Sequence, residues 1–349
     1  MTKLLFITQK IDNADPILGF VTEWVALFSK EFQSIKVICL EKGEYSLPQN
    51  VQVFSLGKEE GAGRFCYLIK FFNYIWTERN NYEAVFVHMN QEYVLLGGLF
   101  WRIMRKPIIL WYNHTVGTWK TKVAMIIANA LCHTSPFAFT AETPKSHQMP
   151  AGIDTEFFKG SEPSQIEPGS LLYLGRISPL KRVHILIDAI LQLLPGNKGI
   201  KLDIYGAAGP LDTGYLKMLQ SMVNKAGAEE QVAFRSSVPH DKTPEIFSRH
   251  EVFVNLTPAG NFDKTVLEAM SCQSLVLVSS PAFADIVPEE LRFSENDSAA
   301  LADALSRTLA LPANRKLALG IQLRRAVQEK HELLLLSKKL HSLVQSLIH

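Results

Sequence analysis

Cysteine is scarce in this chain of 349 residues, and its four copies (Cys39, Cys66, Cys132 and Cys272) are scattered with no C-x-x-C pair. That spacing argues against a disulfide framework and fits reduced core thiols in a cytosolic protein. No stretch approaches the roughly 20 consecutive apolar residues that cross a bilayer. The run Lys3 to Ile7 is too short for a signal-peptide core and reads as a first buried strand. Neither sign of charge dominates: 36 Lys and Arg face 34 Asp and Glu, a net +2. This excludes a globally basic nucleic-acid binder and leaves local patches open. Two chemical signatures are also missing. No H-E-x-x-H spacing suggests a metal, and no G-x-G-x-x-G after a strand suggests a dinucleotide-binding dehydrogenase.

Hydrophobic residues make up 47% of the chain and charged residues 20%, enough for a sizeable core in two domains of ordinary size. The first part alternates strand-like and helix-like stretches: Leu4–Thr8, Val21–Phe32, Lys36–Leu40, Val51–Ser55, Cys66–Arg79, Ala84–His88, Tyr93–Met104 and Pro107–Tyr112. Such alternation predicts a parallel sheet covered on both faces. Lys159 to Ser170, rich in Ser, Glu, Pro and Gly, reads as a linker. A second alternation runs from Leu171 to about Ala310. The expected architecture is α/β, with two Rossmann-like domains facing a cleft. Their expected bounds are 1–160 for the acceptor side and 161–325 for the nucleotide side. The tail from Arg315 carries leucines at helical spacing and no strand signal.

Two segments carry the chemistry. In LLYLGRISPLKRVHILI, Leu171 to Ile187, a short buried strand ends at Gly175, where the backbone turns. Ser178 reads as an N-cap with Pro179 at the first helical position, followed by an apolar stripe at Val183, Leu186, Ile187 and Ile190. Arg176 and Lys181 then flank a helix N-terminus, which suits a diphosphate. Downstream, Val252 to Leu256 reads as a strand, Thr257 to Phe262 as a loop and Asp263 as the N-cap of a helix that opens at Lys264. Glu268 lies about one turn inside that helix.

Together these segments resemble family 4 of the retaining GT-B glycosyltransferases. Its strand-G-R-x-S-x-x-K turn is matched by Gly175, Arg176, Ser178 and Lys181, and its L-E-A-M segment by Leu267 to Met270. MPAGIDTEFF, Met149 to Phe158, is similar to the family's interdomain segment. IYGAAGP, Ile204 to Pro210, is similar to its strand-ending G-x-G-P turn with different glycine spacing. The likeness runs from about Met149 to Ala304.

The resemblance implies a GT-B fold whose last helix, 326–349, crosses back to the first domain. It implies transfer of a sugar from a nucleotide-diphosphate sugar to a glycan or lipid-linked acceptor, with no separate cofactor. Arg176 and Lys181 would neutralise the departing diphosphate, and Glu268 would accept hydrogen bonds from the donor ribose. Gly175, Gly206 and Gly19 would bring backbone close to the donor. Gly260, Asn261, Phe262, Asp263, Lys264 and Thr265 would border the sugar and phosphates, with Lys264 read as a third phosphate ligand. His114 would face the donor sugar, and His88 is a second candidate for that cleft. Four positions depart from the pattern: Gly260 stands where the family usually has a glutamate, Asp263 and Lys264 where it has small or apolar residues, and Gln273 where it usually has glycine. No D-x-D occurs, which argues against a metal-held diphosphate.

Between Glu92 and Glu142 there is no acidic residue, while Arg102, Arg105, Lys106, Lys120 and Lys122 are interleaved with Phe100, Trp101, Trp111, Tyr112 and Trp119. Residues 100–122 are therefore read as a face for an anionic membrane surface, or as ordinary core and surface. A cytoplasmic protein, peripheral on the membrane face, is the expectation, and no motif supports nucleic acid. The competing readings are a degenerate GT-B protein that binds nucleotide without catalysis, and a GT-B nucleotide-sugar epimerase.

Overall fold

Strands covered on both faces must be apolar almost throughout, and the central strands of this protein are. The computed structural model describes residues 2–160, 166–197 and 199–348. A first sheet holds β1 (Lys3–Ile11), β2 (Ser34–Lys42), β3 (Val51–Ser55), β4 (Ala84–His88), β5 (Ile108–Trp111), β6 (Ala130–His133) and β7 (Ser146–Gln148). All pairs are parallel, in the order β3-β2-β1-β4-β5-β6-β7. Period-2 alternation along β1 sends Leu4 and Phe6 to one core and Leu5 and Ile7 to the other.

Helices cover both faces. α1 (Phe20–Phe28) and the final helix, α11 (Leu333–Ile348), pack on the Phe6 side. There Leu336, Leu340, Leu343 and Val344 form one buried stripe at helical spacing. On the Leu5 side lie α2 (Arg64–Thr77), α3 (Gln91–Ile103) and α4 (Trp119–Ile127), which bury Phe71, Ile75, Tyr93, Trp101 and Ala124.

A second sheet holds β8 (Glu167–Leu174), β9 (Lys201–Tyr205), β10 (Val232–Arg235), β11 (His250–Asn255) and β12 (Leu275–Val278). It too is parallel, in the order β10-β9-β8-β11-β12. Its helices are α5 (Val183–Leu193), α6 (Thr213–Lys225), α7 (Thr243–Arg249), α8 (Lys264–Ser271), α9 (Ser298–Leu309) and α10 (Ala313–Lys330). In both sheets the strand order reverses beside the first strand, at β1/β4 and at β8/β11. Such a switch point opens a crevice at the carboxyl ends of the strands.

The chain divides into two compact units. Unit 1 comprises Met1–Gly152, Pro239–Asp241 and Leu333–His349, and unit 2 comprises Ile153–Val238 and Lys242–Glu332. These limits differ from the expected 160 and 325, because α10 stays with unit 2 while α11 belongs to unit 1. Of the expected linker, residues 161–165 lie outside the described residues, and Glu167 to Ser170 already form β8. Three short elements had no clear signal: α4, the four-residue β6 and the three-residue β7. No helix among the described residues is long and apolar enough to cross a membrane.

Candidate active site at the second switch point

The turns after β8 and β9 touch backbone to backbone. Gly175 N–H donates to the Tyr205 carbonyl at 3.1 Å, and Ile177 N–H to the Ala207 carbonyl at 3.0 Å. A Cβ on Gly206 would lie 1.9 Å from the Gly175 carbonyl oxygen, so only glycine permits this approach. Gly175 and Gly206 are thereby brought together at the carboxyl end of the sheet. Arg176 follows, exposed, with its carbonyl accepting from the Tyr173 hydroxyl at 2.8 Å. Among the described residues no carboxylate pairs with its guanidinium.

The helix expected from Pro179 starts later. Pro179–Lys181 is a single 3₁₀ turn, Arg182 is left-handed at φ 53°, and α5 opens at Val183. That backbone is held from a distance, because the Arg182 guanidinium bonds Glu295. Ser178 occupies the capping position but makes no side-chain cap. The His184 amide in the first turn of α5 is not left for an anion either. The Tyr215 hydroxyl accepts from His184 N–H at 3.1 Å and lies 2.8 Å from His184 Nδ1.

Lys181 reaches across the switch point instead. Its Nζ donates to Asp263 Oδ2 at 2.5 Å and to Thr257 Oγ1 at 3.1 Å. The same Oδ2 accepts from Asn255 Nδ2 at 3.0 Å and from the Thr257 hydroxyl. Burial pushes the Asp263 carboxyl upward, but the Lys181 charge and these hydrogen bonds outweigh it and hold it below the usual range. Asp263 therefore stands at the N-cap position of α8 while its side chain serves Lys181 and makes no cap. Lys264 and Thr265, both half-buried, open α8. Glu268, one turn in, is only 4% exposed.

The loop before α8 is knitted to its surroundings. Pro258 to Asn261 form a turn closed by Asn261 N–H to the Pro258 carbonyl at 3.2 Å, with Gly260 at φ 84°. A left-handed residue in the third position explains glycine where a glutamate was expected, since a side chain there is strained. The Asn261 amide, expected to face the sugar, is spent inside this turn. Its carbonyl accepts from Ser280 Oγ at 2.9 Å, and Ala259 N–H donates to Glu295 at 3.1 Å. Phe262 lies against Phe283, ring centroids 4.6 Å apart, and against His331. Gln273 is left-handed at φ 64°, as its glycine-like position suggested.

Three candidates belong to unit 1. Gly19 precedes α1, where an added Cβ would fall 2.9 Å from His240 Cβ and 2.8 Å from the Asp15 carbonyl, so packing alone requires glycine. His240 pairs there with Glu23 at 3.2 Å. His114 is exposed, with its ring edge-on to Tyr112 and its carbonyl accepting from Phe139 N–H. Partial desolvation lowers its pKa. His88 is a core histidine, 4% exposed, with Nδ1 3.3 Å from Thr8 Oγ1 and Phe6, Phe20 and Trp24 around it. The aromatic-basic stretch is also corrected in part. Trp101, Trp111 and Tyr112 are core residues, and Lys106 sits over the Tyr82 ring, whereas Trp119, Lys120 and Lys122 are exposed.

Sequence reading missed Asn255, Thr257, Tyr215 and Glu295. Only the apposition of Lys181 with an Asp at a helix start carried a signal for the first two. Among the described residues no three His, Cys, Asp or Glu side chains group as metal ligands.

Comparison with known proteins fits this geometry. Residues 168–310 match the family model described as glycosyl transferases group 1. A D-inositol 3-phosphate glycosyltransferase of Frankia alni is 27% identical over 192 residues, 50% of this chain and 47% of that protein. The chain thus spans about half the length of that curated relative, and less of others such as the mannosylfructose-phosphate synthase of Agrobacterium fabrum, at 32%. Among solved structures, Anabaena HepE in complex with UDP and glucose superposes with a TM-score of 0.79 at 18% identity, covering 99% of this chain and 100% of that one. Sucrose-phosphate synthase from Thermosynechococcus elongatus gives 0.79 at 17% identity, with 99% of each chain covered. These structural likenesses speak to the fold, and the family match falls on the sheet that carries Arg176, Lys181 and Glu268. The second unit thus matches the glycosyl transferases group 1 model over residues 168–310, and the chain has the GT-B fold.

Proposed function

We propose that this protein is a retaining, metal-independent glycosyltransferase that moves a sugar from a nucleotide-diphosphate sugar to a glycan or lipid-linked acceptor. The observation that carries this reading is the placement of Arg176 and Lys181 at the carboxyl end of β8, with Lys181 tied to the head of α8 across the β8/β11 switch point. Breaking the bond from the anomeric carbon to the diphosphate oxygen leaves negative charge on that oxygen. An exposed guanidinium and a lysine held close by can stabilise it without reorganising. Asp263 holds the Lys181 ammonium in place until the diphosphate arrives. Glu268 is the proposed ribose acceptor, and Gly175 and Gly206 leave room for the donor backbone contacts. His114 is the proposed neighbour of the donor sugar in unit 1, and Lys264 a further phosphate ligand. The complex of HepE with UDP makes UDP the first nucleotide to test. An anionic membrane is the proposed partner of unit 1.

Calorimetric titration with UDP, GDP, ADP and CMP tests the site. One diphosphate should bind, and Arg176→Ala should abolish that binding and lower any transfer rate by about 10²–10³. Binding of none of the four would sink the transferase reading. The left-handed Gly260, which removes a carboxylate from the expected sugar site, favours a second reading, a nucleotide-binding protein without transfer. Nucleotide binding without acceptor-dependent nucleotide release would select it.

A further inference from the structure

The outer surface of unit 1 above α2, α3 and α4 is not what a solvated helix layer looks like. In an amphipathic helix one stripe faces the core and the other faces water. α2 buries Phe71 and Ile75, yet the flank beside them carries Phe65, Ile69, Phe72 and Trp76, spaced 4, 3 and 4 residues apart and between 46% and 76% exposed. α3 adds Leu99 and Ile103 and α4 adds Trp119 and Ile126, each at least two-thirds exposed. The three helices form one layer. Trp76 and Phe100 rings lie 5.9 Å apart, Phe71 contacts both Tyr93 and Trp101, and a Cβ on Gly98 would fall 2.5 Å from Ile127. The exposed apolar side chains thus belong to one face, not to scattered positions.

Charge says what covers it. Residues 64–127 hold eight Lys and Arg against three Glu, a net +5 in a chain whose total is +2. Two of those glutamates are engaged elsewhere, Glu78 by Lys36 and Glu83 by the Lys3 amide. Arg79 lies over the Trp76 ring at 4.4 Å, and Arg64, Arg102, Arg105, Lys120 and Lys122 are exposed. A second copy docking by the same face would set +5 against +5. An anionic bilayer meets both demands, taking the aromatic and aliphatic side chains at the headgroup boundary and the cations against phosphate.

We infer that the face formed by α2, α3 and α4 of unit 1 seats on an anionic lipid surface, lying on it without crossing it. This deepens the membrane reading under the proposed function but rests on none of the donor-site residues. Flotation of the full chain with phosphatidylcholine vesicles, with and without phosphatidylglycerol, tests it. Binding should require phosphatidylglycerol and weaken as salt rises. Lys120→Glu with Lys122→Glu should weaken it about thirtyfold or more, each basic residue near such a surface being worth about fivefold. Phe65→Glu with Ile69→Glu should abolish it, while thermal melting and nucleotide binding stay at wild-type values, which separates this failure from failure of the donor site. Absence of flotation by the wild type, binding indifferent to phosphatidylglycerol, or unaltered binding of the Phe65/Ile69 variant would overturn the inference. Self-association lost in that variant, without vesicle binding, would assign the face to a second copy instead.

Discussion

Replacing Asp263 by Asn removes one charge from the centre of the second switch point and alters little volume. Lys181 would then sit with a side chain only 16% exposed and no counter-ion. Breaking a fully buried pair costs about 3–5 kcal/mol, and an exposed one under about 1 kcal/mol. Here the partners are 16% and 25% exposed, and the same oxygen also accepts from Asn255 and Thr257. Discounted for solvent, the expected loss is about 2 kcal/mol at neutral pH. The pH dependence has a definite sign. The folded carboxyl is held below its unfolded value of about 3.9. Its stabilisation is therefore complete above that unfolded value and is lost as pH falls through the lower folded one. The gap between wild type and Asp263→Asn should be full at pH 7 and shrink below about pH 4.

Urea unfolding followed by two probes localises the effect. All five tryptophans, at 24, 76, 101, 111 and 119, lie in unit 1, so their fluorescence reports that unit, while far-UV ellipticity reports both. Asp263→Asn should move the ellipticity curve and leave the fluorescence curve in place. A variant within a few tenths of a kcal/mol of wild type at pH 7, or a gap of equal size in acid, would refute the reasoning.

Gly206→Ala should cost about 1–3 kcal/mol or more, since its Cβ would meet a backbone oxygen at 1.9 Å. Urea unfolding by ellipticity checks it. Gln273→Gly should raise stability by up to about 1 kcal/mol by relieving φ 64° at the end of α8, read as a higher melting temperature. Tyr215→Phe should lower stability by about 1 kcal/mol, because the His184 amide loses its acceptor. A melting temperature unchanged from wild type would show that water replaces the hydroxyl without loss.

Periodicity and turn chemistry are local, and what depended on them was legible. The strands Val51–Ser55 and Ala84–His88 have the bounds their apolar runs predict. The Gly175 turn and the start of α8 at Lys264 also lie where residue type alone put them. The GT-B fold and the likeness of residues 168–310 to group 1 glycosyl transferases were legible too, because four motifs occur in a fixed order. Tertiary structure decided what local rules cannot reach. α5 starts at Val183 and not at Pro179 because Glu295, 113 residues from Arg182, and Tyr215, 31 residues from His184, hold that backbone. Asp263 turns from capping α8 to Lys181, 82 residues away. Trp101 and Trp111 read like Trp119 in sequence, yet two are core and one is exposed, because facing depends on which sheet surface each element covers. Composition and spacing set which residues are available to form a site. Only packing between distant segments settles which of their charges and amides are already taken.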